Sequence, residues 1–317
     1  MKKILALALA ALMLVSMVAC AKTEEKKAEE AAEAAVTEAV AEAVVTEAAA
    51  EAAVEEAVSE ATVEMGIEAI EIPTVTPGVL TVATSPDFAP YEFYSINENG
   101  DYELAGFDMA LAQYIADYLG LELEVIPMDF DGTLTELAAK AVDLSISGYS
   151  PDPARTDKMD FSDLYYQSTQ SFVTVKDKAD QFPTLESAND PKFTIGAQNG
   201  SIQWDLAQEN TPNADCIALQ KVTDIVAELI AGTMDGAFIE TPVAETYAVN
   251  YPELAILHEV PYDEAGSAVG VSKGNAELLA GVNEAIAAAK ADGSMTRFIA
   301  EANEKATGNI LEGLLEG

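Results

Sequence analysis

Histidine is nearly missing from this 317-residue chain, with His258 the single example. Cysteine occurs twice, at Cys20 and Cys216, and tryptophan once, at Trp204. A structural zinc site needs four Cys or His ligands, so three such residues exclude one. Cys216 can join a disulfide only if Cys20 takes part. Positive charge is equally scarce: 16 Lys and Arg stand against 55 Asp and Glu, a formal net charge of −39. That field repels phosphate backbones and anionic membrane surfaces, which argues against nucleic acid as a partner. Beyond the first 17 residues, no apolar run approaches the ~20 residues that cross a bilayer.

What is present begins with a targeting segment. Lys2 and Lys3 form a basic start, and Ile4 to Met17 an apolar stretch. The segment ends Met17-Val-Ala-Cys20, which looks like a bacterial lipobox. The expectation is cleavage before Cys20, lipid on its thiol, and an extracytoplasmic protein held on the outer face of the cell membrane. An ordinary secretory signal with an incidental cysteine is the other reading, and both export the chain. A diacylated Cys20 would hold stably where one acyl chain would not.

Residues 21–77 read as a tether. Residues 21–71 are nearly all Ala, Glu, Val and Thr, with fifteen Glu against three Lys. A nine-residue repeat starts at Val36, Val45, Val54 and Val63. Nine residues are about 2.5 helical turns, so successive valines fall on opposite faces. No continuous apolar seam results, which disfavours a coiled coil. Glu56, Glu60, Glu64 and Glu68 stand at i,i+4 spacing and repel one another. A partly helical, solvated spacer is expected, ended by Ile72-Pro-Thr-Val-Thr-Pro-Gly78.

Residues 78–317 alternate strand and helix signals. Val79–Thr84 reads as a strand. Phe107, Leu111, Ile115 and Leu119 recur every four residues before Gly120, an amphipathic helix with its stop. Strands follow at 123–127 and 143–147, with a short helix at 134–140 between them. The pattern restarts after Pro183, with strands at 193–196, 214–218 and 236–239. Helices are expected at 201–209, 222–231, 276–291 and 294–305. Such alternation predicts α/β layers with parallel strands.

The most informative stretch is Val142-Asp-Leu-Ser-Ile-Ser-Gly-Tyr-Ser-Pro-Asp-Pro-Ala-Arg155, followed by Met159-Asp-Phe-Ser-Asp-Leu-Tyr-Tyr166. A strand runs into Gly148, and Arg155 stands just beyond the turn. Arginine is the side chain that forks best onto a carboxylate. Strand ends are where open α/β sheets bind ligands. Further motifs are Ala89-Pro-Tyr-Glu-Phe93, Gly106-Phe-Asp-Met-Ala-Leu111, Met128-Asp-Phe130, Gly200-Ser201 and Asp235-Gly-Ala-Phe-Ile-Glu240. Together they resemble the type II (family 3) extracellular solute-binding proteins of bacterial amino-acid ABC importers. The first half looks most like the glutamine-binding branch.

The resemblance implies an α/β, two-lobed, periplasmic-binding-protein-like type II fold with two hinge crossings. The crossings are expected near 166–172 and 262–268. Lobe I would comprise about 78–166 plus 269–317, and lobe II about 172–262. It implies a binding protein rather than an enzyme, with no cofactor and no metal. A free amino acid would be the ligand, ABC-transporter permease subunits the docking partners, and a monomer the working form. An enzyme on the same fold, such as a cyclohexadienyl dehydratase, is the alternative. It would need a general acid or base aimed at a reacting atom.

Residue by residue, Arg155 is expected on the ligand α-carboxylate. Ser150, Ser201 and the helix start at Ile202 would support it, since free N–H groups at a helix N-terminus attract anions. Glu240 is expected on the α-ammonium, where the family more often has Asp, with the Gly148 carbonyl beside it. Phe88 and Phe130 would flank the ligand side chain, and Tyr149 is a further candidate. Trp204 and Cys216 read as packing. Ser85 and Gln198 stand where the glutamine-binding branch has an acid and a lysine. With no acid at Ser85, the sequence favours a neutral, polar amino acid.

Overall fold

The computed structural model describes residues 72–97, 99–262 and 266–307. The lipobox, Cys20 and the repeats at residues 36–63 lie outside the described residues. Residues from Ile72 onward group as one compact unit.

Within that unit the β-branched and apolar run of β1 (Val79–Thr84) is almost wholly buried. The chain then makes a small antiparallel sheet, β2 (Asp87–Phe88), β3 (Glu92–Ile96) and β4 (Tyr102–Ala105). Helix α1 (Phe107–Leu119) follows, and Gly120 closes it in the left-handed conformation that the sequence signal implied. Next come β5 (Glu122–Pro127), α2 (Phe130–Ala138), β6 (Leu144–Ser145) and β7 (Met159–Phe161). Helix α2 starts four residues before the expected Leu134, because Asp129 is extended and Asp131 supplies an acid to the first turn.

Strand β8 (Gln170–Val175) opens a second sheet. It continues with β9 (Thr194–Gln198), α3 (Ile202–Asn210), β10 (Asp215–Leu219), α4 (Val222–Ala231), β11 (Gly236–Glu240), α5 (Thr241–Asn250) and β12 (Leu254–Val260). The chain then returns through β13 (Gly270–Ser272) to α6 (Ala276–Ala291) and α7 (Ser294–Ala306).

The two main sheets have five strands each, ordered β5-β1-β6-β13-β7 and β10-β9-β11-β8-β12. The strands joined by helices are parallel, as the alternation predicted. Antiparallel pairings involve β13, against β6 and β7, and β8, against β11 and β12. These are the strands the chain lays down on leaving and re-entering a sheet. Between the sheets the two connections meet, among the described residues, at the bridge of Tyr166 with Ser267. Helix α1 buries Phe107, Leu111 and Ile115 against Leu278, Val282 and Ile286 of α6 and Phe298 of α7. The C-terminal helices are thereby fastened to the first sheet.

Candidate functional site

Four strand ends converge, two from each sheet. From the first come Ser85–Phe88 after β1 and Ser147–Ser150 after β6. From the second come Gln198–Ser201 after β9 and Glu240 at the end of β11. The β6 turn depends on Gly148, at φ +59. A Cβ there would lie 2.8 Å from Phe88 Cε1, so only glycine lets the turn and the ring approach.

The cleft between the sheets is bridged. Arg155 Nη2 donates to the Gly200 carbonyl at 3.0 Å. Asn199 Nδ2 donates to Asp131 Oδ2 at 3.0 Å. Tyr91 OH donates to Glu240 Oε1 at 2.7 Å. Asp87 is the busiest bridge: Oδ2 accepts from Gln198 Nε2 at 3.0 Å and from the Val222 N–H that heads α4 at 2.5 Å. Its carbonyl accepts from Tyr247 OH at 3.0 Å.

Arg155 ends a short 3₁₀ turn, Pro153–Arg155, capped by Asp152. Its Nε lies 3.4 Å from Asp152 Oδ2, an ion pair that aims the guanidinium at the Gly200–Ser201 turn. Ser150 is buried at the start of this loop. Ser201 is the N-cap of α3: its Oγ accepts from Trp204 N at 3.2 Å and donates to the Gln198 carbonyl at 2.7 Å. The Ser201 hydroxyl is therefore spent on its own helix. What the turn offers an anion is the N–H groups that open α3 at Ile202.

Glu240 is fully buried. Its Oε1 accepts from Tyr91 and from Ser168, while Oε2 has no partner. Burial pushes its carboxyl up to about 7, against the pull of those two hydroxyls. A buried acceptor without a donor is costly, and an ammonium would relieve it. The methylene that distinguishes Glu from Asp lets the side chain reach Tyr91 across the cleft.

Phe88 and Phe130 are each 7% exposed, the remnant of ring surface that a site would use. Tyr149 is different. Its hydroxyl is bonded to Ser145 Oγ at 2.8 Å and to Thr133 Oγ1, beneath the Phe130 ring. It supports the floor of the cleft and does not line it. Trp204 and Cys216 pack against the buried Phe172 and Phe193 cluster.

Asp87 is the residue that sequence reasoning missed. Ser85 Oγ donates to Asp87 Oδ1 at 2.7 Å, so an acid does stand at the Ser85 end, displaced by two residues. Residues two apart on an extended chain share a face, and that periodicity was the available signal. Burial raises the Asp87 carboxyl to about 6, with the Ser85, Val222 and Gln198 bonds opposing it. A carboxylate accepts about four hydrogen bonds, and three are used. The reason for expecting a neutral ligand side chain falls away.

A cavity of ≈ 480 Å³ opens between Asp152–Pro153 and α3, lined by Asp205 and Glu209 as well as Asp152. Three acids thus line a cavity beside the Arg155 loop.

Known proteins resemble this chain in sequence and in fold. Residues 80–302 match the model of the bacterial extracellular solute-binding proteins, family 3, and the chain belongs to that family. It is 34% identical over 224 residues to the arginine-binding extracellular protein ArtP of Bacillus subtilis (strain 168), covering 69% of this chain and 84% of that protein. It is 29% identical over 192 residues to the cyclohexadienyl dehydratase of Pseudomonas aeruginosa, covering 60% and 70% of the two chains. Among solved structures, it resembles an amino acid ABC transporter substrate-binding protein from Streptococcus pneumoniae bound to L-arginine. That match has a TM-score of 0.68, 34% identity, and covers 72% of this chain and 94% of the other.

Proposed function

We propose that this chain is the solute-binding subunit of an ABC importer for a free amino acid with a cationic side chain. The observation that carries this is the pairing of opposite needs across one cleft. Arg155 and the α3 N-terminus offer an anion site, and the buried, unpartnered Glu240 Oε2 asks for a cation. The α-carboxylate binds the first with Ser150, and the α-ammonium binds Glu240 and the Gly148 carbonyl. The side chain lies between Phe88 and Phe130 and reaches Asp87. The strong negative charge of the chain raises the local concentration of cationic solutes. The L-arginine bound in the pneumococcal relative supports the same choice.

In this reading residues 78–166 with 269–317, and residues 172–262, move as two lobes about the Tyr166–Ser267 bridge. Closure is favoured only by contacts the ligand makes in the closed state. Hinge closure of periplasmic binding proteins is a standard example of such motion, and the closed form docks on the permease. Lipid on Cys20 keeps the monomer at the outer face of the membrane. A buried acid raised to about 7 could also act as a general acid, which is the enzymatic alternative.

Calorimetry on the full chain with L-arginine, L-lysine and L-glutamine tests the reading. Arginine or lysine binding more tightly than glutamine is expected, with the arginine carboxamide and N-acetyl-arginine both weak. Binding of glutamine alone would refute the cationic assignment. Mass spectrometry of the incubated solute should show it unchanged, and turnover would replace the binding role by catalysis.

A further inference from the structure

Two buried carboxyl groups lie beneath the site, and the binding scheme does not use them. Glu92 opens β3 and Asp108 is the second residue of α1; both are 0% exposed. Each holds one residue of the ligand-facing turn. Glu92 Oε1 accepts from Ser147 Oγ at 2.5 Å, and Ser147 Oγ accepts in turn from the Ser85 N–H at 3.1 Å. Asp108 Oδ2 accepts from the Gly148 N–H at 3.0 Å and from Tyr165 OH at 2.9 Å. The pair therefore fastens the ends of β1 and β6 and the approach to the first crossing.

Their second oxygens, Glu92 Oε2 and Asp108 Oδ1, have no partner. The two carboxyl groups hold adjacent residues, Ser147 and Gly148, and each acts on the other. The groups facing them are Asp87, Tyr91, Tyr149, Tyr165 and Glu240, none of them a cation. Two ionised carboxylates in this place would repel each other and leave both oxygens unsatisfied. One proton between them removes both defects.

We propose that Glu92 and Asp108 share one proton as a carboxylic acid–carboxylate pair that positions the Ser147–Gly148 turn under the ligand. Glu92 is the neutral donor. Asp108 keeps the charge, because it accepts from two donors at a helix N-terminus, where the dipole favours an anion. Glu92 accepts from one. Burial, with the neighbouring Asp108 charge second, holds the Glu92 carboxyl well above the ordinary range, and burial raises Asp108 to about 6. Both are positioning residues: they set the Gly148 peptide and do not touch the ligand. Removing the shared proton at alkaline pH undoes the turn.

The pair itself is tested without ligand, and only its effect on binding rests on the proposed function. Infrared spectra of the ligand-free full chain at pH 8 should show a protonated carboxyl band, since Asp87 and Glu240, at about 6 and 7, are mostly ionised there. Glu92→Gln should abolish that band. It should also flatten the fall of the thermal midpoint between pH 7 and 9, because the amide donates to Asp108 at every pH. Asp108→Asn should lower the midpoint throughout, because it removes the charge that the two donors and the α1 N-terminus favour. In calorimetry with L-arginine, the wild type should weaken more steeply on the alkaline side than Glu92→Gln, whose remaining limb is the loss of the ligand's own ammonium proton. A wild type with no such band at pH 8, or a Glu92→Gln midpoint as depressed as that of Asp108→Asn, would overturn the proposal. If L-arginine fails to bind while band and midpoint behave as stated, the ligand assignment falls and the pair stands.

Discussion

Glu240→Gln isolates the charge on the ammonium side of the cleft with a change of one atom. The wild-type carboxyl titrates at about 7 before ligand arrives. Only its ionised form binds the ammonium, so apparent affinity scales with the ionised fraction. Two pH units below 7 that fraction is ~1%, so Glu240 by itself should bring wild-type affinity at pH 5 ~100-fold below its plateau. The cost is about 1.4 kcal/mol per unit of pH. The amide cannot ionise. It should weaken L-arginine binding on the plateau by about 2–5 kcal/mol, the usual penalty for removing one partner of a desolvated charge pair. In affinity that is roughly 30- to 5,000-fold. The acid limb centred on 7 should vanish with it. Any slope that remains below pH 6 belongs to Asp87, which titrates at about 6 and is unchanged in the variant. The assay is isothermal calorimetry from pH 5 to 8 in buffers of matched ionic strength, with the fold checked by circular dichroism. Wild-type affinity constant from pH 5 to 8, or a Glu240→Gln protein that binds as tightly as wild type, would refute the reasoning.

Other consequences follow from the same geometry. Asp87, Glu92, Asp108 and Glu240 all have raised carboxyls in the fold, so the stability each contributes is complete below the unfolded value near 4 and is lost as pH rises through the folded value. The ligand-free chain should therefore melt higher at pH 5 than at pH 8, with Glu240 contributing on the order of 3 kcal/mol of the difference; a midpoint that rises with pH would contradict this. Asp87→Asn keeps an amide oxygen for its two donors, Gln198 and the Val222 N–H, but removes the charge, and should reduce L-arginine affinity at least roughly tenfold more than L-glutamine affinity. Equal losses for the two solutes would confine Asp87 to bridging the sheets. Gly148→Ala forces a left-handed residue against Phe88 and should cost about 1–2 kcal/mol of backbone energy before the ring moves, measurable by chemical denaturation. Cys20→Ala should release the protein from membrane fractions, and unchanged sedimentation with no lipid on Cys20 by mass spectrometry would dispose of the anchor.

Local chemistry made part of this protein legible before any fold was known. Helix α1 is legible from apolar residues four apart and a glycine stop, because helix burial repeats along the chain, and the ranges expected at 222–231 and 276–291 coincide with α4 and α6. The parallel strands were legible as β-branched runs, and Arg155 and Glu240 stood out because each follows such a run. Helix α5 was not legible: Pro242 sits in its first turn, and only Val243, Ala244 and Tyr247 are buried, too few for a stripe. The sheet β2-β3-β4 was missed for a similar reason, since two of its strands pair in stretches too short to show alternation.

What the sequence could not settle was which acids lose water. Asp87, Glu92, Asp108 and Glu240 look no different, as letters, from the many other acids of this chain. They come together from two sheets and a helix N-terminus spread over more than 150 positions of sequence, and burial is a property of that assembly. Desolvation depends on what surrounds a group in three dimensions, so periodicity cannot report it. The tertiary structure therefore decided that Glu240 is buried with one oxygen unpartnered, that an acid stands beside Ser85 after all, and that Glu92 and Asp108 are buried with an unpartnered oxygen each.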